Sequence, residues 1–290
     1  MTEPTLLSRP GEAEFAMTRA DFDRVRRLIH QHAGIHLAEG KEAMVYGRLA
    51  RRLRETRHAS FSQYLQQLES LLGSGGPLAE RELQEFVNCL TTNLTSFFRE
   101  EHHFPLLAAD LRARAALPAA GQPMRVWCSA ASTGEEPYSL AMTVVETLGA
   151  AARVEILASD IDTSVLQTAE RGVYAADARG LDEARLRRHF QRGTGPNQGR
   201  VRVRPELARL LRFMPFNLIN GDWARLGQPF DIIFCRNVMI YFDAPTQRKV
   251  LQRMHGVLKP GGLLYVGHSE NFSDAREWFR LRGKTVYERV

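Results

Sequence analysis

Hydrophobic positions recur at helical spacing through the first third of the chain. Phe22, Val25 and Ile29 share one face, Val45, Leu49 and Leu53 repeat every four residues, and Phe61, Tyr64, Leu65, Leu68, Leu71 and Leu72 follow the i, i+3, i+4, i+7 rule. Gly73 to Pro77 interrupts the pattern, and Pro77 suits the first turn of a helix carrying Leu83, Phe86, Val87 and Leu90. From Ala20 to about Leu94 the pattern therefore predicts a small all-α domain. After Pro123 the texture changes. Strand-like runs at Met124–Cys128, Val154–Ala158, Phe230–Cys235 and Leu263–Gly267 alternate with helical runs at Pro137–Leu148, Ser164–Glu170 and Pro245–Leu258. Such alternation implies an α/β domain, a parallel sheet covered by helices on both faces. Thr285–Arg289 alternates as a further edge strand would. Between Tyr174 and Asn217 the rhythm fails: "GTGPNQG" (Gly193–Gly199) leads into "RVRVRPEL" (Arg200–Leu207), where Val201 and Val203 alternate with arginines. That is the signature of an exposed strand with one buried face, and a small antiparallel insertion is expected. The alternative is a surface excursion with no role.

With 290 residues, 44% of them hydrophobic, the chain suffices for one large domain or two modest ones. No apolar run approaches the roughly 18 residues of a membrane span, so no membrane insertion is expected. Met1 to Phe15 mixes acids, prolines and an arginine, which predicts a loose arm rather than a signal peptide. Cys89, Cys128 and Cys235 are far apart and odd in number. They suggest a reducing, cytoplasmic compartment and offer neither a disulfide framework nor a zinc site. The net charge of +6 favours an acidic partner, protein or nucleic acid.

Candidate chemistry sits where strands meet helices. "SAASTGEEPYSLAM" (Ser129–Met142) joins a strand to what reads as an amphipathic helix opening at Pro137, the position of a phosphate cradle. Yet it carries Glu135 and Glu136 and a single glycine, Gly134. Carboxylates repel phosphate. They accept hydrogen bonds from hydroxyls or an ammonium and attract a cation. Asp160 follows Val154–Ala158 at the carboxyl end of a strand, 25 residues after Glu135, where an acid can grip a ribose hydroxyl. S-adenosylmethionine, with ribose, amino group, sulfonium and no phosphate, fits this pair. For Glu136, beside Pro137, simple complementation of a helix dipole is the favoured reading. Arg236-Asn237 ends the buried run in "FCRNVMIYF", with Tyr241 four residues on, and Asn93, Thr95 and Arg99 interrupt "TTNLTSFFRE". Polar groups ending a buried strand need something to bind, although Asn93 and Thr95 also suit helix caps.

Together "TTNLTSFFRE", "ASTGEEPYSLAM", "ASDIDTSVL", "FCRNVMIYF" and "LKPGGLLYVGHSENF" resemble the chemotaxis receptor glutamate methyltransferases of the CheR type, from about Asp21 to Tyr287. The resemblance implies an arm over 1–18, an all-α substrate-docking domain over 19–92, and a Rossmann-like methyltransferase domain over 93–290 with a small antiparallel β-subdomain inserted at about 175–211. It implies S-adenosylmethionine as cofactor, S-adenosylhomocysteine as product and no metal. Asn93, Thr95, Arg99, Glu135, Asp160, Asn217, Leu218, Arg236 and Asn237 would contact the cofactor or its surroundings, and Arg236 and Tyr241 would face the transferred methyl. The acceptor would be a glutamate on a receptor cytoplasmic helix, already ionised at neutral pH. Such transfer needs alignment more than acid–base help. Arg236 is expected to hold the incoming carboxylate, Arg99 the carboxylate of the methionine moiety, and His102, His103, His255 and His268 to be structural.

Lys41–His58 holds six basic residues against two acids, with Arg48, Arg51, Arg54 and Arg57 repeating every three on the face opposite Val45, Leu49 and Leu53. By resemblance this helix docks acidic methylation helices; otherwise it is a solvated face. A nucleic-acid methyltransferase is the alternative, against which stand the lack of interleaved aromatics and of an Asn-Pro-Pro-aromatic motif. A non-catalytic receptor adaptor is a third reading. Gly193, Gly195, Pro196 and Gly199 match the turn with which some members of the family bind a receptor C-terminal pentapeptide, and the chain is expected to act as a monomer.

Overall fold

The computed structural model of the chain describes residues 14–116, 122–272 and 275–290. They fall into two units, one of the described residues up to Thr92 together with Tyr241–Asp243, the other of Asn93–Ile240 and Ala244–Val290.

The first unit contains α1 (Arg19–Ala33), α2 (Glu42–Thr56), α3 (Phe61–Ser74) and α4 (Pro77–Leu90). Local signals set their ends. Thr18 and Asp21 form a reciprocal capping box on α1, left-handed Gly34 closes it, Ser60 caps α3 and Pro77 opens α4. The predicted stripes meet inside: Phe22, Val25, Ile29, Val45, Leu49, Leu53, Phe61, Leu65, Leu68 and Phe86 are buried. Leu71 and Leu72, expected in the same stripe, are only half-buried near the end of α3. The arm differs too. Its first 13 residues lie outside those described, but Phe15 and Met17 are buried and Ala16 bridges to Ser60, so apolar burial fixes its last part. Tyr241–Asp243 are tied into this unit by His36 N–H donating to the Tyr241 carbonyl at 2.7 Å, an antiparallel bridge between Ile35 and Phe242, and His30 against Asp243 at 2.8 Å.

The second unit runs α5 (His103–Ala115), β1 (Met124–Cys128), α6 (Glu135–Leu148), β2 (Val154–Asp160), α7 (Thr163–Arg171), β3 (Val173–Ala175), α8 (Glu183–His189), β4 (Phe190–Arg192), β5 (Arg200–Val203), α9 (Pro205–Ala208), β6 (Leu211–Pro215), β7 (Phe230–Cys235), α10 (Ala244–Val257), β8 (Leu258–Val266), β9 (Phe279–Gly283) and β10 (Val286–Arg289). The central sheet has the order β6-β2-β1-β7-β8-β10-β9. β6 to β8 pair in parallel, whereas β10 is antiparallel to both its neighbours. The C-terminal strand is therefore inserted between β8 and β9 and is not the expected edge; β9 takes the edge. The helix after β1 also differs from expectation. It starts at Glu135, two residues before Pro137, and residues 136–144 are all buried, because α5 and α9 pack over it while it lies against the sheet. It is not amphipathic.

The inserted segment forms the separate antiparallel sheet β3-β5-β4, with Val201 and Val203 buried and Arg200 and Arg202 exposed. Phe97 is buried between Tyr174 and Phe190, with ring centroids 4.9 and 5.9 Å away, and so links this sheet to the stretch Asn93–Arg99. Phe97→Ala is expected to destabilise this unit by about 3–5 kcal/mol, read as a lowered denaturation midpoint at unchanged slope.

Candidate active site

In an open parallel sheet the ligand crevice lies outside the carboxyl ends of the strands, where chain order reverses. Here that place is between β1 and β7, from which the chain proceeds to β2 on one side and β8 on the other. Ser129 N–H donates to the Phe234 carbonyl and Ala131 N–H to that of Ser159, which stitches the loop after β1 to the ends of β7 and β2. Ser132, at φ +48°, and Gly134, at φ +100°, turn the loop into α6. A Cβ on Gly134 would collide with the Tyr174 hydroxyl and lie 2.8 Å from Ala169 Cβ, which explains the single glycine.

Most of the residues expected at the cofactor are gathered here. Asp160 ends β2 and is 8% exposed. Its carboxylate accepts from the Ser132 N–H at 2.8 Å and the Asp162 N–H at 3.0 Å. Burial outweighs these bonds and pushes the acid from 3.8 up to about 6. Asn93 donates to Asp162 at 2.7 Å, and its carbonyl accepts from Ser132 Oγ at 3.0 Å. Arg99 donates to the Leu94 carbonyl at 2.7 Å, and Thr95 lies half-buried in the same stretch. Asn217 and Leu218 follow β6, beside Asp160, whose carbonyl accepts from Phe216 N–H. Asn217 folds its own turn, accepting from Ile219 N–H at 2.8 Å. Glu135, half-buried, accepts from Thr133 Oγ1 at 2.6 Å.

Arg236 is held by partners within the protein. Its side chain is completely buried, with Nη1 on Glu136 at 2.6 Å and Nη2 on the Arg99 carbonyl at 2.5 Å and near Glu100 at 3.3 Å. Both terminal nitrogens are engaged, so the guanidinium is not a free fork for an incoming carboxylate. It fastens three segments together. Its Nε alone is buried without an acceptor among the described residues. Glu136 is correspondingly more than a dipole complement. Its second oxygen accepts from the Cys128 thiol at 3.3 Å. Burial alone would raise the Glu100 carboxyl, but Arg236, Asn237 and His268 outweigh it and hold the acid at about 2. Glu100, His102 and His103 could place three ligand atoms within 4.8 Å of one another, yet the guanidinium already faces that carboxylate, and a dication would have to share the space with it. His103 is fully buried, bonded to Thr285 and the Lys284 carbonyl, and held neutral by burial at about 4.

Tyr241 closes a 3-10 turn (Met239–Tyr241) and belongs to the helical unit, whereas Arg236 belongs to the sheet unit. The arginines of α2 are not equivalent. Arg51, Arg54 and Arg57 are exposed, but Arg48 donates to the Leu90 and Thr91 carbonyls at 2.7 and 2.9 Å, which caps α4. Glu100, Asp162 and Glu270 hold the loops around the crevice and carried no role in the sequence reading, and Glu136 carried only that of a dipole complement. The signal was there: each is an acid embedded in a motif adjoining an apolar strand or loop, where a charge must find a partner.

The family model described as CheR methyltransferase, all-alpha domain, matches residues 20–91, and that of the CheR methyltransferase, SAM binding domain, matches residues 93–288. This chain belongs to the CheR methyltransferase family. It is 53% identical over 274 residues to the chemotaxis protein methyltransferase of Escherichia coli, covering 94% of this chain and 91% of that one. It is 53% identical over 273 residues to that of Klebsiella aerogenes, covering 93% and 90%. Chemotaxis protein methyltransferase 2 of Pseudomonas aeruginosa is 51% identical over 288 residues, covering 98% and 99%. The chain is accordingly an S-adenosylmethionine-dependent methyltransferase, and the nucleic-acid alternative finds no support.

The cleft fits that cofactor. Its carboxylates suit a ligand with hydroxyls and positive charge, and Asp160, buried among main-chain donors, can accept from a ribose. Because its folded pKa lies above the ordinary 3.8, its contribution to stability is complete below about pH 4 and lost as pH rises through about 6. Ligand binding runs the other way, since hydroxyl donors favour the ionised form. Calorimetry should show S-adenosylhomocysteine affinity falling by up to about tenfold per pH unit below pH 6. Asp160→Asn should bind about 1.5–3 kcal/mol more weakly at pH 7.5 and lose that slope; a flat wild-type profile would contradict the assignment.

Proposed function

We propose that this CheR methyltransferase esterifies glutamate side chains on the cytoplasmic helices of chemoreceptors, with Asn93, Thr95, Arg99, Glu135, Asp160, Asn217, Leu218, Arg236 and Asn237 lining the cofactor cleft. The cofactor supplies an activated methyl on a sulfonium. The carboxylate acceptor is ionised at neutral pH and needs no strong base. What this chain contributes is orientation and exclusion of water, an effect worth up to roughly 7–11 kcal/mol. The observation that carries the reading is Asp160, a buried carboxylate at the end of β2 partnered by main-chain N–H groups. Arg236 is assigned to holding the cleft in shape, and Tyr241 to lining or hydrogen-bonding at the transferred methyl. Incubation with labelled cofactor and a receptor cytoplasmic domain should place alkali-labile label on glutamates. Label confined to nucleic acid would sink the proposal.

Docking is assigned to the exposed Arg51, Arg54 and Arg57 of α2, against an acidic receptor helix. Arg54 meets Glu14 at 3.0 Å and Arg51 meets Glu55 at 3.6 Å, contacts of exposed side chains that an acidic partner can replace. Arg48, occupied as a cap, has the smaller part. A cytoplasmic location agrees with three free, buried cysteines and with the absence of any helix long and apolar enough to cross a membrane among the described residues. The small sheet offers a second contact. β4 is one of its edges, and the following turn carries Gly195 at φ +56° and Gly199 at φ +80°. An extended receptor C-terminal peptide could add there as a strand. No oligomer is required by any of these roles.

Reversing Arg51 and Arg54 to Glu should slow methylation of an acidic receptor helix and leave S-adenosylhomocysteine affinity unchanged, and raised ionic strength should mimic the reversal. Gly195→Val should abolish binding of the receptor peptide while methylation of a tail-less receptor persists. Loss of cofactor binding in a folded Gly195 variant would place the insertion in the active site instead.

A further inference from the structure

The turn after β7 is held by an acid from the loop that follows β8. Glu270 is 3% exposed, and its carboxylate accepts four main-chain hydrogen bonds. Oε2 takes Gly267 N–H at 2.6 Å and Asn237 N–H at 3.0 Å; Oε1 takes Val238 N–H at 3.0 Å and Met239 N–H at 2.8 Å. Three successive amides thus point at one carboxylate, the arrangement of a main-chain anion nest. The turn is otherwise costly. Asn237 adopts φ +57°, a left-handed conformation that a non-glycine residue holds only when its surroundings enforce it. Gly267 is part of the same lock, since a Cβ there would lie 2.5 Å from Asn237 Nδ2 and 2.9 Å from Glu270 Oε2.

We propose that Glu270 is a positioning residue for methyl transfer, its carboxylate fixing the Asn237–Met239 turn and thereby the direction in which Arg236 and Asn237 leave β7. Glu270 does not touch the reacting groups. It acts through the main chain of Asn237, which lines the cleft and directly follows Arg236, and there the inference rests on the functional reading above. An acid is required because four convergent N–H donors need an acceptor at every lone pair presented to them. Glutamine has the same shape but would turn an NH2 group toward two of those donors, leaving buried donors unpaired.

The test uses the full chain and a receptor cytoplasmic domain. Glu270→Gln should lower kcat at least tenfold, with KM for the receptor within about threefold and an unfolding midpoint above the assay temperature. Amide signals of Asn237, Val238 and Met239 should move upfield as their carboxylate acceptor disappears. Glu270→Asp, which restores charge and acceptor count on a shorter arm, should recover part of the lost kcat. Unchanged kcat in Glu270→Gln, or losses that only track the unfolded fraction in both variants, would overturn the proposal. Should Glu270→Gln fail to fold, Gly267→Ala pushes on the same turn without altering charge and must produce the same kcat-selective loss; retained kcat there overturns the inference equally. Asn237→Ala separates the two levels. If it leaves activity unchanged, the reading of the cleft has failed; if it lowers activity while Glu270→Gln does not, only the role of Glu270 has.

Discussion

The site depends on one buried cation. Arg236, with no exposed side-chain surface, sits between Glu136 and Glu100 and also donates to the Arg99 carbonyl. Those partners come from two segments distant in sequence from the end of β7: the first turn of α6 and the turn at residues 97–102. A buried ion pair adds little net stability against an apolar replacement, but removing one member leaves an uncompensated charge that costs about 3–5 kcal/mol. The cluster is therefore all-or-none. It holds the loops at the carboxyl ends of β1 and β7 in one arrangement, and the stretch from Asn93 to Arg99 is drawn in with them.

This cluster also clarifies how acids in one crevice divide their tasks. Glu100 is held at about 2, a permanent anion committed to a guanidinium. Asp160 is lifted to about 6 with main-chain amides as its hydrogen-bond donors, an anion maintained at some cost and available to a ligand. Both are carboxylates beside the carboxyl ends of the central strands. Environment alone separates an anion tied to a guanidinium from one bonded only to main-chain amides, as it does where paired acids serve different ends. Glu270 is a third case, an anion whose counter-charge is the summed polarity of four amides.

Much of this was legible in the sequence, for reasons that can be named. Local periodicity located the helices of the first unit because Phe22, Val45 and Phe61 each begin stripes that bury together. Asp160 and Asn93 stood out because a polar residue ending an apolar strand or interrupting an apolar run needs a partner, and the structure supplies one to each. What failed was non-local. Nothing in the alternation of Val286–Arg289 says that it enters between β8 and β9 and not at the edge. Glu136 read as a dipole complement because its partner, Arg236, lies 100 residues away. The α2 stripe read as four equivalent arginines, although Arg48 meets the end of α4, a contact set by tertiary packing. Phe15 and Met17 were assigned to an arm because the residues around them are polar, and burial of two side chains overrode that composition.

The central claim is that Arg236 builds the cleft through Glu136 and does not grip the acceptor. A double-mutant cycle with Arg236→Met and Glu136→Gln, read by S-adenosylhomocysteine affinity and by kcat with a receptor domain, tests it most directly. If the pair acts as a unit, each single change should weaken both quantities and the double variant should be no worse than the poorer single, a coupling well above 1 kcal/mol. Additive losses, or an Arg236 variant that keeps cofactor affinity while its receptor KM alone rises, would contradict the account and return Arg236 to the incoming carboxylate.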